Sequence, residues 1–350
     1  MALYRIAMLG AGGLLGKELG EALDERRFPA LPPRLLAAPG GEGAQAARAL
    51  IAFGEEPAAL EPFTPEALED VDALFFAGTA EETKAAFRRL AEHRPLLVDM
   101  TGALADEPEV QLAGLEARPD SGEEQGELPP ALIVVAHPAA QALAHLLDRL
   151  ASAGELARAT AVVLEPASQR GWPGIQELQQ QTLAALSVQP LPQAVYGAQV
   201  AFNLRAELGA EILPPLAYTR SLIARQAQAL RIVTAPAVAL ELLQAPLFHA
   251  TVLAVHADYA APEPDLERVE AALASAWLAA PAAGGYPDVI SAAGSDAIQR
   301  GPARVDPSGG IWLYAALDNL RRTAFAAVDA AAAALERRQR EGWGRRPRLQ

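Results

Sequence analysis

Seven residues near the start, Gly10-Ala11-Gly12-Gly13-Leu14-Leu15-Gly16, come after a short apolar run and open a helical pattern. Such a turn reverses the chain tightly and lets the backbone approach a pyrophosphate with no Cβ in the way. It also aims the free N–H groups of a helix start at the anion. With strand context before residue 10 and helix context after it, the spacing of Gly10, Gly13 and Gly16 points to dinucleotide geometry. The bland alternative is a tight strand-to-helix turn in a sheet protein that holds no nucleotide. The adenosine end is read from the close of the second apolar run, Leu36-Ala37-Ala38-Pro39-Gly40-Gly41-Glu42. It offers no cation and no hydroxyl for a 2′-phosphate, so NADP is disfavoured and NAD is permitted. The chain has no cysteine, which removes disulfides, thiolate metal sites and every mechanism built on a cysteine nucleophile. No zinc-type spacing appears, so no metal is expected. Ser168, in Pro166-Ala167-Ser168-Gln169-Arg170-Gly171, stands without a nucleophile-elbow motif or an ordered triad.

These residues need elements to hold them. Tyr4–Leu9 reads as a buried strand, Leu14–Leu23 as a helix, and residues 34–38 as a second strand. Thr64 and Pro65 start a helix in the cap and first-turn positions. Residues 72–77 form a third strand, Glu81–Glu92 an amphipathic helix, 95–99 a fourth strand and Ala131–Ala136 a fifth. Strands alternating with helices imply crossovers and a parallel, doubly wound sheet. The stretch 117–130, rich in Pro, Gly and Glu, reads as a surface loop. After Pro138 the character becomes α+β. Helices are expected at 141–153, 174–186 and 221–230, with strands at 159–164, 248–255 and 311–317. A long Ala-rich helix from Asn319 to Arg340 comes next, and the six arginines between Arg337 and Gln350 read as a solvated tail.

Composition sets limits on partners. With 350 residues, about two domains fit, and 51% apolar with 21% charged residues is globular composition. The net charge of −14 repels phosphate backbones and anionic lipid, so neither nucleic acid nor a membrane surface is an expected partner. No apolar stretch is long enough to span a bilayer and no secretory leader is read, so a soluble cytoplasmic protein is expected.

Taken in order, seven segments carry a family resemblance: Gly10–Gly16; Phe28-Pro29 with Leu35-Leu36-Ala37; Val71–Gly78; Val98-Asp99-Met100-Thr101-Gly102; Gln199–Asn203; Gln244–Phe248; and Asp318-Asn319-Leu320-Arg321-Arg322. Together they resemble the aspartate-semialdehyde dehydrogenase family of amino-acid biosynthesis, and more closely its Usg-type homologues. The resemblance implies a Rossmann-type parallel-sheet domain at 1–138 plus 319–340, an α+β dimerisation domain at 139–318, and a basic tail at 341–350. It implies a homodimer, with Gly10, Gly12, Gly13, Leu14, Leu15, Gly16, Gly78 and Asn319 at the cofactor.

The departures bear on chemistry. The family's cysteine nucleophile falls on Ala140, or on Ala139 if the register slips by one, and alanine has no lone pair with which to attack a carbonyl. The family's histidine base falls on Thr251. The glutamine that orients substrate becomes Glu165, the arginine that holds phosphate becomes Ala105, and the lysine-bearing helix signature becomes Gln226–Leu230. His249, two residues before Thr251, shares a face with it if both lie in one strand. Otherwise it is a core or interface histidine. His137 takes the place of an asparagine, or is a loop residue donating to a carbonyl. Glu165 is a buried carboxyl or a solvated strand end. Three functions are open: a catalytically degenerate homologue with weak residual NAD binding; a live NAD-dependent oxidoreductase on an aldehyde or oxo substrate, using His249 or Glu165; or a structural subunit lent to another, unidentified, protein.

Overall fold

The computed structural model describes residues 3–39, 50–53, 56–90, 95–114, 131–212, 214–233, 236–260, 265–280 and 285–341. Gly40, Gly41 and Glu42 at the adenosine end, the 117–130 loop and the tail from residue 342 lie outside the described residues. The chain divides into two compact units, residues 1–136 with 323–350, and residues 137–322.

The first unit is a seven-stranded sheet in which every paired neighbour is parallel. Its central strands are short apolar runs: β1 (Ile6–Leu9), β2 (Arg34–Ala37), β6 (Ala73–Phe76), β7 (Leu96–Asp99) and β9 (Leu132–Val135). Runs buried on both faces are what a doubly wound sheet demands. Helix α1 (Leu14–Glu25) packs on one face with Phe325, Val328, Ala331 and Leu335. Leu68, Ala86 and Leu104 cover the other. The strand order places β1 between β2 and β6, where a doubly wound sheet reverses direction and opens its crevice.

Sequence patterning missed four strands here. The hairpin of β3 (Leu50–Phe53) and β4 (Glu56–Ala59), and the edge strands β5 (Glu61–Pro62) and β8 (Val110–Ala113), are short or half-exposed and carry no clear alternation. The helix expected after Thr64 is a single 3-10 turn, Glu66–Leu68, with the Thr64 hydroxyl accepting from the Ala67 N–H. The helix expected at 81–92 is described as α2 (Ala80–Phe87), started by a capping box between Thr79 and Glu82.

The second unit carries a mixed sheet, β11 (Val238–Gln244), β10 (Leu156–Glu165), β12 (Thr251–Tyr259), β16 (Ile311–Leu317), β14 (Ile298–Arg300), β13 (Leu278–Ala279), with β15 (Arg304–Val305) beside β16. Helices α3 (Pro138–Ala153), α4 (Gly171–Leu186) and α5 (Leu216–Leu230) all start earlier than the sequence pattern suggested. Proline at or just before the first turn explains this: Pro138, Pro173 and Pro215 suit positions whose N–H is unpaired anyway. The short helices α6 (Leu266–Ala272) and α7 (Val289–Ala292) come next, and α8 (Asn319–Arg340) matches its expected span.

Candidate functional site

The glycine turn is built around close approach. Gly10 has φ +86°, and a Cβ there would collide with the backbone of Gly78 and Ala77. Gly16 is equally forced, because a Cβ would strike the Gly10 carbonyl and the Ala11 backbone. Gly13 is the N-cap of α1 and has no side chain to cap it, so no N-cap side chain occupies the first-turn N–H groups of Leu14, Leu15 and Gly16. Gly12 and Gly13 have more room: a Cβ would meet Ile51 at 3.5 Å and the Gly10 carbonyl at 3.3 Å respectively. A Cβ at Gly78 would run into the Glu82 carboxylate, which accepts from the Thr79 N–H at 2.8 Å.

At the end of β7, Asp99 is fully buried and organises the loop beyond it. It accepts from Thr101 N–H and Oγ1 at 2.8 and 2.7 Å, and from Leu104 N–H at 2.8 Å. Burial pushes its carboxyl above the usual range, against the pull of these hydrogen bonds.

The second unit gathers most of the residues that the sequence singled out for chemistry. His137 is the N-cap of α3, and its Nδ1 accepts from the Ala139 N–H at 3.2 Å. That bond fixes the tautomer: Nε2 carries the proton and faces Glu165 Oε1 at 3.4 Å. His137 therefore accepts from a backbone N–H, where a donor to a carbonyl was the sequence alternative. Its own N–H donates to Gln226 Oε1 at 2.8 Å. Glu165 ends β10 and is buried, 2% exposed, which excludes the solvated strand end. Ala139 and Ala140 are both 0% exposed in the first turn of α3, where Ala140 N–H donates to the His137 carbonyl.

The strand that would have set His249 beside Thr251 begins only at Thr251. His249 is exposed in the preceding turn, and Ala250 between them has φ +67°, so strand alternation does not link the two. Asn319 is buried, its Oδ1 accepting from Ser168 Oγ and its Nδ2 donating to Gln169 Oε1, both at 3.1 Å. Both ends of that amide are engaged within the unit. Ser168 is thus a buried partner of Asn319, with no base beside it in these contacts. Sequence reasoning missed Gln244, which is 0% exposed beside Glu165. Its only sequence signal is a polar residue closing an apolar strand.

The profile for the semialdehyde dehydrogenase dimerisation domain matches residues 147–322, and that for the NAD-binding domain of the same enzymes matches residues 5–125. The chain belongs to the semialdehyde dehydrogenase family. A USG-1 protein homolog of Pseudomonas aeruginosa is 29% identical over 91% of this chain and 94% of its own length. A USG-1 protein homolog of Azotobacter vinelandii is 30% identical over 58% of each. Among solved structures, a probable aspartate-semialdehyde dehydrogenase from Pseudomonas aeruginosa superposes with TM-score 0.82 at 26% identity, covering 96% of this chain and 99% of that one. Aspartate semialdehyde dehydrogenase II from Vibrio cholerae, complexed with ASA, shares the fold at 21% identity and TM-score 0.77, with the same coverage. The semialdehyde dehydrogenase assignment accounts for both units, a parallel NAD-binding sheet and a mixed-sheet dimerisation domain. Among the described residues no helix is long and apolar enough to cross a membrane.

Proposed function

We propose that this chain is a catalytically degenerate semialdehyde dehydrogenase homologue that acts by binding, as a homodimer, with a weak NAD seat and no preference for NADP. The observation that carries the reading is the first turn of α3. Ala139 and Ala140 are sealed there, and the one imidazole at that turn has its Nδ1 occupied by a backbone N–H, while its Nε2 stands 3.4 Å from Glu165 Oε1. A chain without cysteine has no thiolate to form an acyl-enzyme. A histidine whose Nδ1 already accepts a cap hydrogen bond has no lone pair left to take a proton. The runner-up, a live oxidoreductase using His249 or Glu165, has the buried Glu165 beside His137 in its favour and the occupied Nδ1 of that imidazole against it. His249, exposed outside the strand, supports neither. On this reading residues 1–138 with 319–340 bind nucleotide, 139–318 dimerise, and the protein works in the cytoplasm.

The glycine turn fits a pyrophosphate. Gly10 and Gly16 clear the approach, and the uncapped first turn of α1 presents N–H groups to an anion. A nicotinamide dinucleotide bound there supplies a hydride acceptor; the turn itself supplies only N–H groups and clearance. Asn319, with its amide engaged, serves as a positioning residue at the start of α8. The dimer surface is the outward face of the second sheet, where Val162, Leu164, Ala254, Trp312 and Tyr314 are half-exposed. Calorimetry with NAD and with NADP tests the nucleotide reading on the wild type and on Gly13→Val. Weak NAD binding lost in the variant supports it, and tight NADP binding contradicts it. Light scattering at micromolar concentration tests the dimer, and a monomer ends that part.

A further inference from the structure

Two helices start beyond the paired strands β1 and β6, α1 through the glycine turn and α2 through Thr79. Each start presents first-turn N–H groups and the positive end of a helix dipole. The two are finished differently. No N-cap side chain closes α1, whereas α2 is closed by a capping box. There Thr79 Oγ1 accepts from the Glu82 N–H at 3.2 Å, and Glu82 Oε2 accepts from the Thr79 N–H at 2.8 Å. The second helix start already holds an anion, and that anion is the chain's own.

The Glu82 carboxylate stands against the glycine turn. A Cβ at Gly78 would run into Glu82 Oε2, and the point that Cβ would occupy lies 3.5 Å from Gly10 Cα. On the other side, a Cβ at Gly13 would lie 3.8 Å from the carbonyl of Ala77, the residue before Gly78. The carboxylate and the open N–H groups of α1 therefore face the same end of the crevice. Among the described residues Glu82 has no ion-pair partner, so no neighbouring cation cancels its charge. Glu81 carries the same charge one residue earlier, at an exposed position outside the capping box.

We propose that Glu82 is a specificity-determining residue of the nucleotide seat, setting how much negative charge the ligand of α1 can carry. The proposal rests on the NAD reading above and deepens it. A bridging diphosphate spreads a single charge over each phosphate, while a terminal phosphate carries about two at neutral pH. Repulsion from a fixed carboxylate grows with the charge of the ligand. The seat therefore takes a dinucleotide diphosphate in preference to a nucleoside triphosphate of the same base. The pull of α1 on a phosphate is partly offset by Glu82, which gives the weak affinity a named cause. Glutamine at this position keeps the capping box, because its amide oxygen accepts from the same N–H. The charge can thus be removed without losing the helix start.

The test is calorimetric titration of NAD, ATP and uncharged adenosine into the full-length protein, near pH 7.5, at low ionic strength and without magnesium. Wild type is compared with Glu82→Gln and with Glu81→Gln, which removes the same net charge from outside the cap. Wild type is expected to hold NAD more tightly than ATP. Glu82→Gln is expected to tighten NAD about threefold and ATP about tenfold, and to leave adenosine unchanged. Both gains should shrink at high salt. Glu81→Gln should gain less than about twofold with either nucleotide. Unchanged ATP affinity in Glu82→Gln overturns the proposal. So does an equal gain in Glu81→Gln, which is net charge alone, or an equal gain with adenosine, which is a change of shape. Should Glu82→Gln fail to fold, Glu82→Ser, which keeps the Thr79 half of the cap, takes its place. NAD bound by Glu82→Gln but not by wild type would refute the weak-NAD reading and support this proposal. NAD bound equally by both would do the reverse, so the two failures are distinguishable.

Discussion

The glycine turn of the first unit and the α3 turn of the second are both strand-to-helix junctions, and they tie sequence to function in opposite ways. At the first, Gly10 and Gly16 are required by packing itself, since a Cβ at either would enter the backbone of a neighbour. The fold would demand them with or without a ligand. At the second, Ala139 and Ala140 sit where a larger reactive side chain is no part of what holds the helix start; His137 and Pro138 do that. A reactive group can leave such a turn without disturbing the fold. An intact glycine motif is therefore weaker support for binding than it looks, and Gly12 and Gly13, which packing tolerates better, are the informative pair.

This contrast can be broken by mutation, and the largest effect belongs to packing. Gly16→Val is expected to destabilise the protein by at least about 3 kcal/mol in denaturant unfolding, because backbone must move to admit the side chain. Gly13→Ala, with its Cβ 3.3 Å from the Gly10 carbonyl and an ordinary φ of −77°, should cost under about 1 kcal/mol while weakening NAD. Comparable losses at both positions would erase the distinction.

The next effect lies in the second unit. Ala140→Cys should fold, losing about 1–3 kcal/mol to overpacking at a fully buried position. It should show no phosphate-dependent reduction of nicotinamide, because Thr251 stands where the family carries its base. Activity from this single change, read by absorbance at the reduced-nicotinamide band, would mean that the rest of the site is intact. Next, Tyr314→Arg on the open sheet face should shift the light-scattering mass toward the monomer. An unchanged mass would move the interface elsewhere.

The smallest effect is a matter of charge. Asp306 accepts from Ser308 Oγ and N–H and from Trp312 Nε1, and these bonds hold its carboxyl down at about 2. A folded value below the unfolded one gives stability that is present above the unfolded value and lost as pH falls through the folded one. Asp306→Asn should therefore lower the melting temperature slightly at neutral pH. The difference from wild type should shrink between about pH 4 and pH 2. A constant difference across that window would assign the effect to shape, not charge.

Much of the fold was legible because its signals are local. Short apolar strands, the glycine turn and the Asn319–Arg340 helix each carry their own pattern. The hairpin at 50–59 and strand β11 were not legible, since both mix polar and apolar residues on half-exposed surfaces. In the second unit the types at Ala139, Ala140 and Thr251 were readable from family register. Their surroundings were not. That His137 caps a helix and leans on Glu165 depends on α3 meeting the end of β10, a contact between distant segments that no spacing encodes. The misreading of His249 has the same origin: one residue with positive φ, Ala250, makes the strand start later than its apolar run suggests.

The central claim is that this semialdehyde dehydrogenase homologue binds and does not turn over. Its most direct test is reduction of NAD and of NADP by the purified wild-type protein with aspartate semialdehyde and phosphate, read by absorbance against a protein-free blank. The account predicts a rate indistinguishable from the blank with either nucleotide. A phosphate-dependent rate well above the blank, abolished in Glu165→Gln, would contradict it.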